Sequence, residues 1–506
     1  MTKAEGRPAR VRFAPSPTGY LHIGGARAAL FNYLLARQTG GQFILRIEDT
    51  DRKRYQPDSE QDLMESLRWL GLEWDEGPDK GGPVGPYRQS ERAELYRRYA
   101  EELVERGHAY YCFCSPERLR RLREERRKQG LPPRYDGHCR NIPPEEAKRR
   151  VEAGEPHVIR FKAPREGEVI AHDLIRGPIR VANKDLDDFI LLKSDGMPTY
   201  HLAVVVDDHL MGITHVLRGA EWLSTFPLHV HLYRAFGWEE PVWVHLSLFL
   251  KPSGKGKISK RDVAAFRKGH KSVLIRDLRE FGYLPEAVNN WLALMGWSYD
   301  DRTEFFTMQD LIEKFSLERL KPSPAAVNFD KLDHFQGLHV RALPPEELAR
   351  RLVPFFHKAG YTQVTEDDLR PIVPLIQTRI VTLDDAVRLA GFFFEDQVEP
   401  NPDELVPKGL TPEQALEVAR RALAVLEALP DMKASTTEPA LRALVDELGL
   451  KARHVFGLIR VAVTGQRVSP PLFETLELVG RDKVLERMRR AIALLEDKVQ
   501  QSPASS

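Results

Sequence analysis

Two short segments carry residue types that suit them to bind a polyphosphate. The segment PSPTGYLHIGG places His22 and Gly24 where a predicted helix begins. Unpaired N–H groups and the positive end of the helix dipole attract anions at such a point, and a glycine lets a ligand approach the backbone closely. The segment KISKR places Lys257 and Lys260 three positions apart, after a loop rich in glycine and lysine. Two ammonium groups so placed can stabilise the charge that builds up on a departing pyrophosphate.

Each segment alone is weak evidence of function. A His-x-Gly-Gly is most often a turn with a solvated histidine, and a Lys-x-x-Lys is usually part of a solvated surface. The length of the first segment, followed far downstream by the second, favours one nucleotide site built from both.

The first segment is flanked by elements that can position it. Val11 and Phe13 predict a short strand, and residues 21–35 predict the helix that follows. Residues 43–47 predict a second strand, which ends at Glu48. A strand, a helix and a strand with polar residues at its carboxyl end are typical of a nucleotide-binding parallel sheet, where ligands gather at the strand ends.

Three later apolar runs predict further strands of this sheet. Residues 200–209, YHLAVVVDDH, are typical of a strand buried on both faces, and residues 216–218 and 242–244 continue the pattern. The expected fold class is therefore α/β, with a parallel sheet in the first half of the chain.

The pattern becomes helical beyond about residue 335. Thr411 predicts a helix N-cap, with Pro412 at the first helical position and Gln414 closing a capping box. One apolar face follows at helical spacing: Leu416, Ala419, Leu423 and Leu426. Gly449 predicts the end of the next helix, and a helical bundle is the simplest interpretation.

Length, composition and charge limit the classes of protein to which this chain can belong. A chain of 506 residues predicts three to five domains, and 42% hydrophobic with 29% charged residues indicates a folded chain with a polar surface. No apolar run approaches the roughly 18–20 residues of a membrane helix, and no signal-peptide pattern opens the sequence, so we expect a cytoplasmic protein without membrane contact. A net charge of only +1 excludes a general basic field, so any nucleic-acid contact must come from local groups.

Further motifs occur in the order found in one enzyme family. They are RFAPSPTG at 12–19, RIEDTD at 46–51, GPYRQS at 85–90, LLKSDG at 191–196, PTYHL at 198–202, LPEA at 284–287 and VTG at 463–465. With the two phosphate-binding segments, which correspond to the HIGH and KMSKS signatures, they make the chain resemble bacterial-type glutamyl-tRNA synthetases of class I. The resemblance extends from residue 12 to about residue 495.

The resemblance implies ATP-dependent joining of L-glutamate to tRNA(Glu) through a glutamyl-adenylate, with Mg²⁺ accompanying ATP. It implies catalytic roles for His22, Lys257 and Lys260, and ATP contacts from His22, Gly24, Glu221 and Lys260. It implies glutamate contacts from Arg12, Ala14, Ser16, Glu48, Tyr200, Val204, Arg218 and Trp222. In this assignment guanidinium groups would hold the carboxylates of glutamate and Glu48 would hold its ammonium. Arg379 matches the position that reads the anticodon.

The resemblance also implies a domain order and a monomer. The expected parts are a Rossmann-type catalytic domain at 1–86 and 200–250, split by a connective, acceptor-binding insertion at 87–199, then a lysine-loop domain at 251–335 and an all-α anticodon-binding half at 336–506.

Four features depart from the family pattern. Gly25 stands where HIGH ends in histidine, and some relatives carry asparagine in place of Val204. Residues 262–283 are longer than usual after the lysine loop. The family's zinc knuckle ends Cys-x-His or Cys-x-Cys, whereas Asn141 follows the last of Cys112, Cys114 and Cys139. Because asparagine is a poor zinc ligand and His138 lies on the wrong side of that cysteine, no structural zinc or other metal site is expected.

Two other functions stay open at this point. A glutaminyl-tRNA synthetase would show Pro-Glu-Pro-Asn-Gly before its HIGH motif and end in β-barrels, unlike this chain. A catalytically silent tRNA-binding paralogue would be expected to lose the lysine loop or Arg12, and both are present. The sequence does not decide whether charging extends from tRNA(Glu) to tRNA(Gln).

Overall fold

The structure is a computed structural model that describes residues 7–51, 54–258 and 260–501, without the side chain of Lys260. The chain divides into two compact units. The first comprises the residues up to Arg279 together with Pro285–Leu332, and the second comprises Glu280–Leu284 together with the residues from Asp333 onward.

The first unit opens with a strand–helix–strand arrangement, as predicted. Its elements are β1 (Arg10–Phe13), α1 (Ile23–Thr39), β2 (Gln42–Leu45) and α2 (Pro57–Trp69). β1 and β2 pair in parallel, with Val11 opposite Phe43 and both side chains fully buried. α1 ends because Gly40 adopts a left-handed conformation, which glycine takes without steric cost.

Antiparallel strands and charged helices follow. They are α3 (Ala93–Glu105), β3 (Ala109–Cys112), α4 (Pro116–Lys128), α5 (Pro144–Glu152), β4 (Val158–Phe161), β5 (Glu168–Asp173), β6 (Gly177–Ala182) and β7 (Ile190–Leu192). β3, β4 and β7 form an antiparallel sheet of their own. β5 and β6 instead extend the sheet of the strands that come next in the chain.

That sheet has the order β6-β5-β9-β8. The elements after the antiparallel sheet are α6 (Tyr200–Leu210), β8 (His215–Gly219), α7 (Phe226–Phe236), β9 (Val242–Leu246) and β10 (Phe249–Leu250). β8 and β9 pair in parallel, and β9 pairs in parallel with β5. Thr214, just before β8, donates its backbone N–H to the carbonyl of Arg10 over 2.9 Å, so the strand ends of both sheets gather at one place.

Residues 200–209 form helix α6, and the predicted strand was wrong. The valines at 204–206 are all buried, and the run LAVVV at 202–206 has no polar residue, so periodicity cannot tell a buried helix from a buried strand there. The helix has a consequence for the site. Since four residues make about one turn, Tyr200, Val204 and Asp208 lie on one face.

The first unit ends with short elements around the lysine loop. They are α8 (Lys260–Lys268), α9 (Ile275–Glu280), α10 (Pro285–Leu294), α11 (Met308–Lys314) and β11 (Ala325–Ala326). β10 and β11 pair in parallel.

The second unit is helical, as predicted. Its helices are the later part of α12 (Phe329–Ala342), then α13 (Pro345–Lys358), α14 (Glu366–Leu369), α15 (Val373–Ile376), α16 (Leu383–Ala390), α17 (Pro412–Ala428), α18 (Ala434–Leu448), α19 (Ala452–Thr464), α20 (Leu472–Val479) and α21 (Arg481–Gln501). The Thr411–Gln414 capping box is present, and Gly449 ends α18 in a left-handed conformation. In the described ranges, no helix has both the length and the apolarity needed to cross a membrane.

Candidate active site

The start of α1 is arranged around His22. The imidazole Nδ1 of this N-cap residue accepts the backbone N–H of Gly24 over 3.0 Å. The turn is held by two backbone bonds to the segment before α9, from Ile23 N–H to the carbonyl of Val273 and from Ile275 N–H to the carbonyl of Leu21. A Cβ on Gly24 would lie 2.8 Å from the imidazole Cε1, so only glycine leaves the ring in place.

This geometry predicts a strong effect of Gly24→Ala. We expect it to displace the His22 ring from the helix start and to lower the rate of ATP-dependent activation by about tenfold or more, with little change in the affinity for the amino acid. ATP–pyrophosphate exchange measures this rate. Gly19→Ala is the matched control, because a Cβ there meets nothing within 4 Å. Equal exchange by the two variants would show that the His22 orientation is unimportant.

Glu221 lies close to the helix start. It follows β8, and its carboxylate packs against the backbone of Gly219, where a Cβ would overlap it. The His22 ring is partly open to solvent, but burial among the surrounding atoms lowers its pKa while the charge of Glu221 partly opposes this shift. The structure therefore brings these two predicted ATP contacts to one place.

A buried ion-pair cluster lies below the predicted glutamate site. Arg12 donates from Nε and Nη2 to the two oxygens of Asp208, over 2.9 and 3.1 Å. Arg46 donates to Asp208 over 2.8 Å and to Glu48 over 3.1 Å. Burial opposes ionisation of Asp208, but the two guanidinium groups outweigh it and lower its pKa. The cluster fixes one edge of Arg12 within the protein.

The role of Arg12 as a glutamate contact stays a prediction. Its Nε and Nη2 are bonded to Asp208, which leaves Nη1 without a partner among the described residues. Sequence analysis missed Arg46 and Asp208. A signal existed, because an arginine in the apolar run FILRI must find acidic partners when that strand is buried.

Glu48 is a buried carboxylate at the end of the second strand segment. Burial raises its pKa to about 7, against the lowering effect of Arg46 and Arg12. Its backbone N–H donates to the carbonyl of Pro15 over 2.9 Å, which ties it to the loop after β1. That loop carries Ala14, which is half-buried, and Ser16, which is exposed.

Arg218 forms the opposite wall of the site. Its Nη1 donates to the Tyr200 hydroxyl over 3.3 Å and its Nε donates to Nε2 of His245 over 3.0 Å. The third nitrogen, Nη2, is buried and has no hydrogen-bond partner in the part of the chain that the structure describes. The Tyr200 ring stacks on Trp222 with centroids 3.9 Å apart, and burial raises the pKa of Tyr200 to about 12. A buried unpaired guanidinium nitrogen beside an aromatic wall fits a ligand carboxylate.

The remaining predicted residues of the first unit lie apart from these contacts. Val204 is 1% exposed and packs within the apolar core, between Tyr200 and Asp208 on α6. Lys257 is exposed on a turn in which Lys251 N–H donates to the carbonyl of Gly256 over 3.0 Å. The Lys260 side chain lies outside the described residues, so its role stays a prediction. The long segment after it contains α8 and α9.

The three cysteines form one cluster in the first unit. Their sulfur atoms all lie within 4.8 Å of one another, and the Tyr135 hydroxyl lies 3.4 Å from the sulfurs of Cys112 and Cys114. This hydroxyl also accepts the backbone N–H of Cys139 over 2.9 Å. Three converging cysteine sulfurs are donors that could hold a zinc ion, and the Tyr135 oxygen lies within reach of two of them as a fourth group. The expectation against zinc considered only sequence neighbours as the fourth donor and did not include Tyr135.

We therefore expect purified protein to contain about one zinc ion per chain, because the four donors already converge. Elemental analysis of protein prepared without chelators measures this. Cys139→Ser should lower the zinc content, and a serine at an exposed position of the same helix-rich segment, as in Gln129→Ser, should not. If unaltered protein folds without bound metal, the prediction is wrong and the cluster is three packed thiols.

Arg379 lies in the second unit, in the turn after α15. Its side chain is exposed and forms no ion pair with any described residue. Burial lowers the pKa of Arg460 on α19, and the charge of Arg379 lowers it further. Two cations thus lie near each other, an arrangement that favours a polyanion.

The parallel strand pairs, the helix start at His22 and the helical second unit are accompanied by matches to family models, and these place the chain among the class I aminoacyl-tRNA synthetases. The model of the catalytic domain of class I tRNA synthetases (E and Q) matches residues 8–334, and an anticodon binding domain matches residues 347–492.

Relatives that match over nearly the whole chain show which family of this class the chain belongs to. A glutamate–tRNA ligase of Dehalococcoides mccartyi is 46% identical over 96% of this chain and 98% of its own length. One of Chloroflexus aurantiacus is 48% identical over 98% of this chain and 100% of its own. The crystal structure of a glutamate tRNA ligase from Elizabethkingia meningosepticum, in complex with its amino acid, is 38% identical with a TM-score of 0.86, over 96% of this chain and 99% of that one. The chain belongs to the glutamate–tRNA ligase family, which confirms the predicted resemblance and disfavours a glutaminyl enzyme.

Proposed function

We propose that this chain joins L-glutamate to the 3′ end of tRNA(Glu) at the expense of ATP. The observation that carries the proposal is the buried Nη2 of Arg218, which has no hydrogen-bond partner among the described residues; Arg218 and the buried carboxylate of Glu48 both act electrostatically on Tyr200. Glutamate brings two carboxylates and one ammonium. Arg218 and the free Nη1 of Arg12 would receive the carboxylates, and Glu48 would receive the ammonium.

The first chemical step needs positioning and charge stabilisation rather than covalent help. An oxygen of the glutamate α-carboxylate attacks the α-phosphorus of ATP, the bond from that phosphorus to the bridging oxygen breaks, and pyrophosphate leaves. His22 and the positive end of the α1 dipole would bind the phosphates beside Gly24, and Glu221 would contact ATP. Lys257 and Lys260 would stabilise pyrophosphate, and a magnesium ion bound with ATP would neutralise phosphate charge.

The second step transfers the amino acid to RNA. A hydroxyl of the terminal ribose of tRNA attacks the carbonyl carbon of the adenylate, and AMP leaves with the electrons of the broken bond. The second unit would bind the anticodon, with Arg379 and Arg460 as its local cations. Because the net charge is only +1, binding of RNA depends on cations at particular positions and not on a general basic field. The monomeric state stays a prediction.

The proposal predicts a pH dependence of glutamate binding. Glu48 can bind an ammonium only as a carboxylate, and burial raises its pKa to about 7. The ionised fraction therefore rises with pH, and we expect KM for glutamate to fall by several-fold between pH 6 and 7.5 at saturating ATP. Glu48→Gln should raise KM and abolish its pH dependence. A pH-independent KM in unaltered protein would remove Glu48 from the ammonium site.

Charging assays on purified tRNA(Glu) and tRNA(Gln) with labelled glutamate test the whole reaction. We expect charging of tRNA(Glu), and the ratio of the two rates decides whether tRNA(Gln) is also a substrate. Protein that binds tRNA(Glu) but transfers no glutamate would support the silent-paralogue alternative instead.

A further inference from the structure

A chain of hydrogen bonds continues from Arg218 away from the site and ends at Asp173. His245, on β9, is fully buried between them. Its Nε2 lies 3.0 Å from Nε of Arg218, and its Nδ1 lies 2.8 Å from Oδ2 of Asp173. Asp173 comes from the end of β5, which pairs with β9 at Trp243. A strand from the predicted insertion thus lies next to β9 in the same sheet and contributes the side chain that contacts His245.

The donors and acceptors in this chain allow only one protonation pattern. Arg218 Nε always carries a hydrogen, so Nε2 of His245 must accept and its proton must be on Nδ1, where it is donated to Asp173. Burial lowers the pKa of His245 to about 4, more than the hydrogen bond to Asp173 raises it, so the ring is neutral near pH 7. A neutral ring in this tautomer gives Nε of Arg218 a fixed acceptor and places no second positive charge beside the guanidinium.

Asp173 is itself held by several donors. Its Oδ2 also accepts the backbone N–H of His245 over 2.9 Å, and its Oδ1 accepts the backbone N–H groups of Ile175 and Arg176 over 3.1 and 2.9 Å. Both oxygens therefore have fixed directions. An oriented carboxylate that selects a histidine tautomer is a known way of holding a catalytic group in one geometry.

The orientation matters because Arg218 has a single direction left for a ligand. With Nε bound to His245 and Nη1 bound to the Tyr200 hydroxyl, the plane of the guanidinium is fixed and Nη2 is its remaining buried donor. If Nε lost its acceptor, the plane could rotate about the Tyr200 contact. Nη2 would then leave the position in which it meets a carboxylate.

We propose that Asp173 and His245 are positioning residues that fix the tautomer of His245 and, through it, the orientation in which Arg218 binds a carboxylate of glutamate. The proposal rests on the proposed function, in which Arg218 contacts glutamate. Neither residue touches the reacting atoms, so the effect is expected on the KM for glutamate and not on the KM for ATP.

Two substitutions at one buried position separate orientation from packing. In His245→Gln the side-chain carbonyl can reach the place of Nε2 and accept from Arg218, whereas in His245→Asn the shorter amide reaches only the place of Nδ1 and Asp173. Asp173→Asn is a third variant. With its amide nitrogen at the Oδ2 place, it would donate to Nδ1 and move the histidine proton to Nε2, where it would oppose Nε of Arg218; the same nitrogen would face the backbone N–H of His245, so its melting temperature separates a loss of stability from the change of tautomer.

The experiment measures KM for glutamate and for ATP in tRNA-dependent ATP–pyrophosphate exchange, with melting temperature alongside. We expect His245→Gln to stay within about threefold of unaltered protein, and His245→Asn and Asp173→Asn to raise the glutamate KM about 10- to 100-fold at constant ATP KM. Equal glutamate KM values for the Gln and Asn variants, or equal changes in both KM values, would overturn the proposal. Arg218→Gln serves as a reference. If it raises the glutamate KM while the His245 pair does not differ, only the positioning role fails, and if it leaves KM unchanged, the proposed function of Arg218 fails with it.

Discussion

Arg218→Gln is expected to lower kcat/KM for glutamate by about 10²–10³, the largest effect on activity among the single substitutions considered. Arg218 is 5% exposed, and among the described residues its Nη2 has no hydrogen-bond partner, so a carboxylate of glutamate would pair with it. Removing one member of a buried charge pair costs about 2–5 kcal/mol, and each 1.36 kcal/mol is a factor of ten. Steady-state ATP–pyrophosphate exchange with tRNA present measures the change.

Arg180→Gln is the matched control for this substitution. Arg180 lies on β6 of the same sheet and forms a surface ion pair with Glu168, with its side chain 60% exposed. Surface pairs of this kind are worth little, so the control should keep its activity. If Arg218→Gln lost no more than the control does, glutamate would have to be held by other groups.

Asp208→Asn is expected to cause the largest loss of stability. The substitution keeps the shape of the side chain but removes the charge that faces Arg12 and Arg46, whose side chains are 4% and 0% exposed. Leaving buried cations without their acid lowers the free energy of unfolding by about 3–5 kcal/mol. All seven tryptophans lie at or before residue 297, in the first unit, so tryptophan fluorescence during denaturant unfolding reports on that unit alone.

Asp195→Asn provides the comparison. Its carboxylate is 62% exposed and lies in a turn, so the expected change in unfolding free energy is within about 0.5 kcal/mol. A denaturation midpoint of Asp208→Asn that matches this control would mean that the buried cations find other partners. In that case the cluster would not hold Arg12 in place.

The sequence was most informative where local signals are strong. The strand at Val11 and Phe13, the helix after His22 and the capping box at Thr411 depend on neighbouring residues, and the structure contains all three. The strand predicted at residues 200–209 was wrong because the uninterrupted apolar run at 202–206 fits a buried helix as well as a buried strand.

Local sequence patterns do not predict which side chains pair when the residues are far apart in the chain. Asp208 follows Arg12 by 196 positions, and Asp173 lies 72 positions from His245, so no spacing rule links either pair. The resemblance assigned residues to the substrate, but it did not identify the buried acids that hold two of their side chains, directly or through His245. Tyr135 was missed for the same reason, because its hydroxyl reaches the cysteines only through the folding of a long loop.

The central claim is that this chain activates glutamate as an adenylate. ATP–pyrophosphate exchange with purified protein, ATP, magnesium and tRNA(Glu), repeated with glutamate, glutamine and aspartate, tests it most directly. We predict rapid exchange with glutamate and not with glutamine or aspartate. This exchange should be lost when tRNA is omitted and reduced by about 10²–10³ in Arg218→Gln. Exchange that is as fast with glutamine, or no exchange with any of the three by protein that still binds tRNA(Glu), would contradict it.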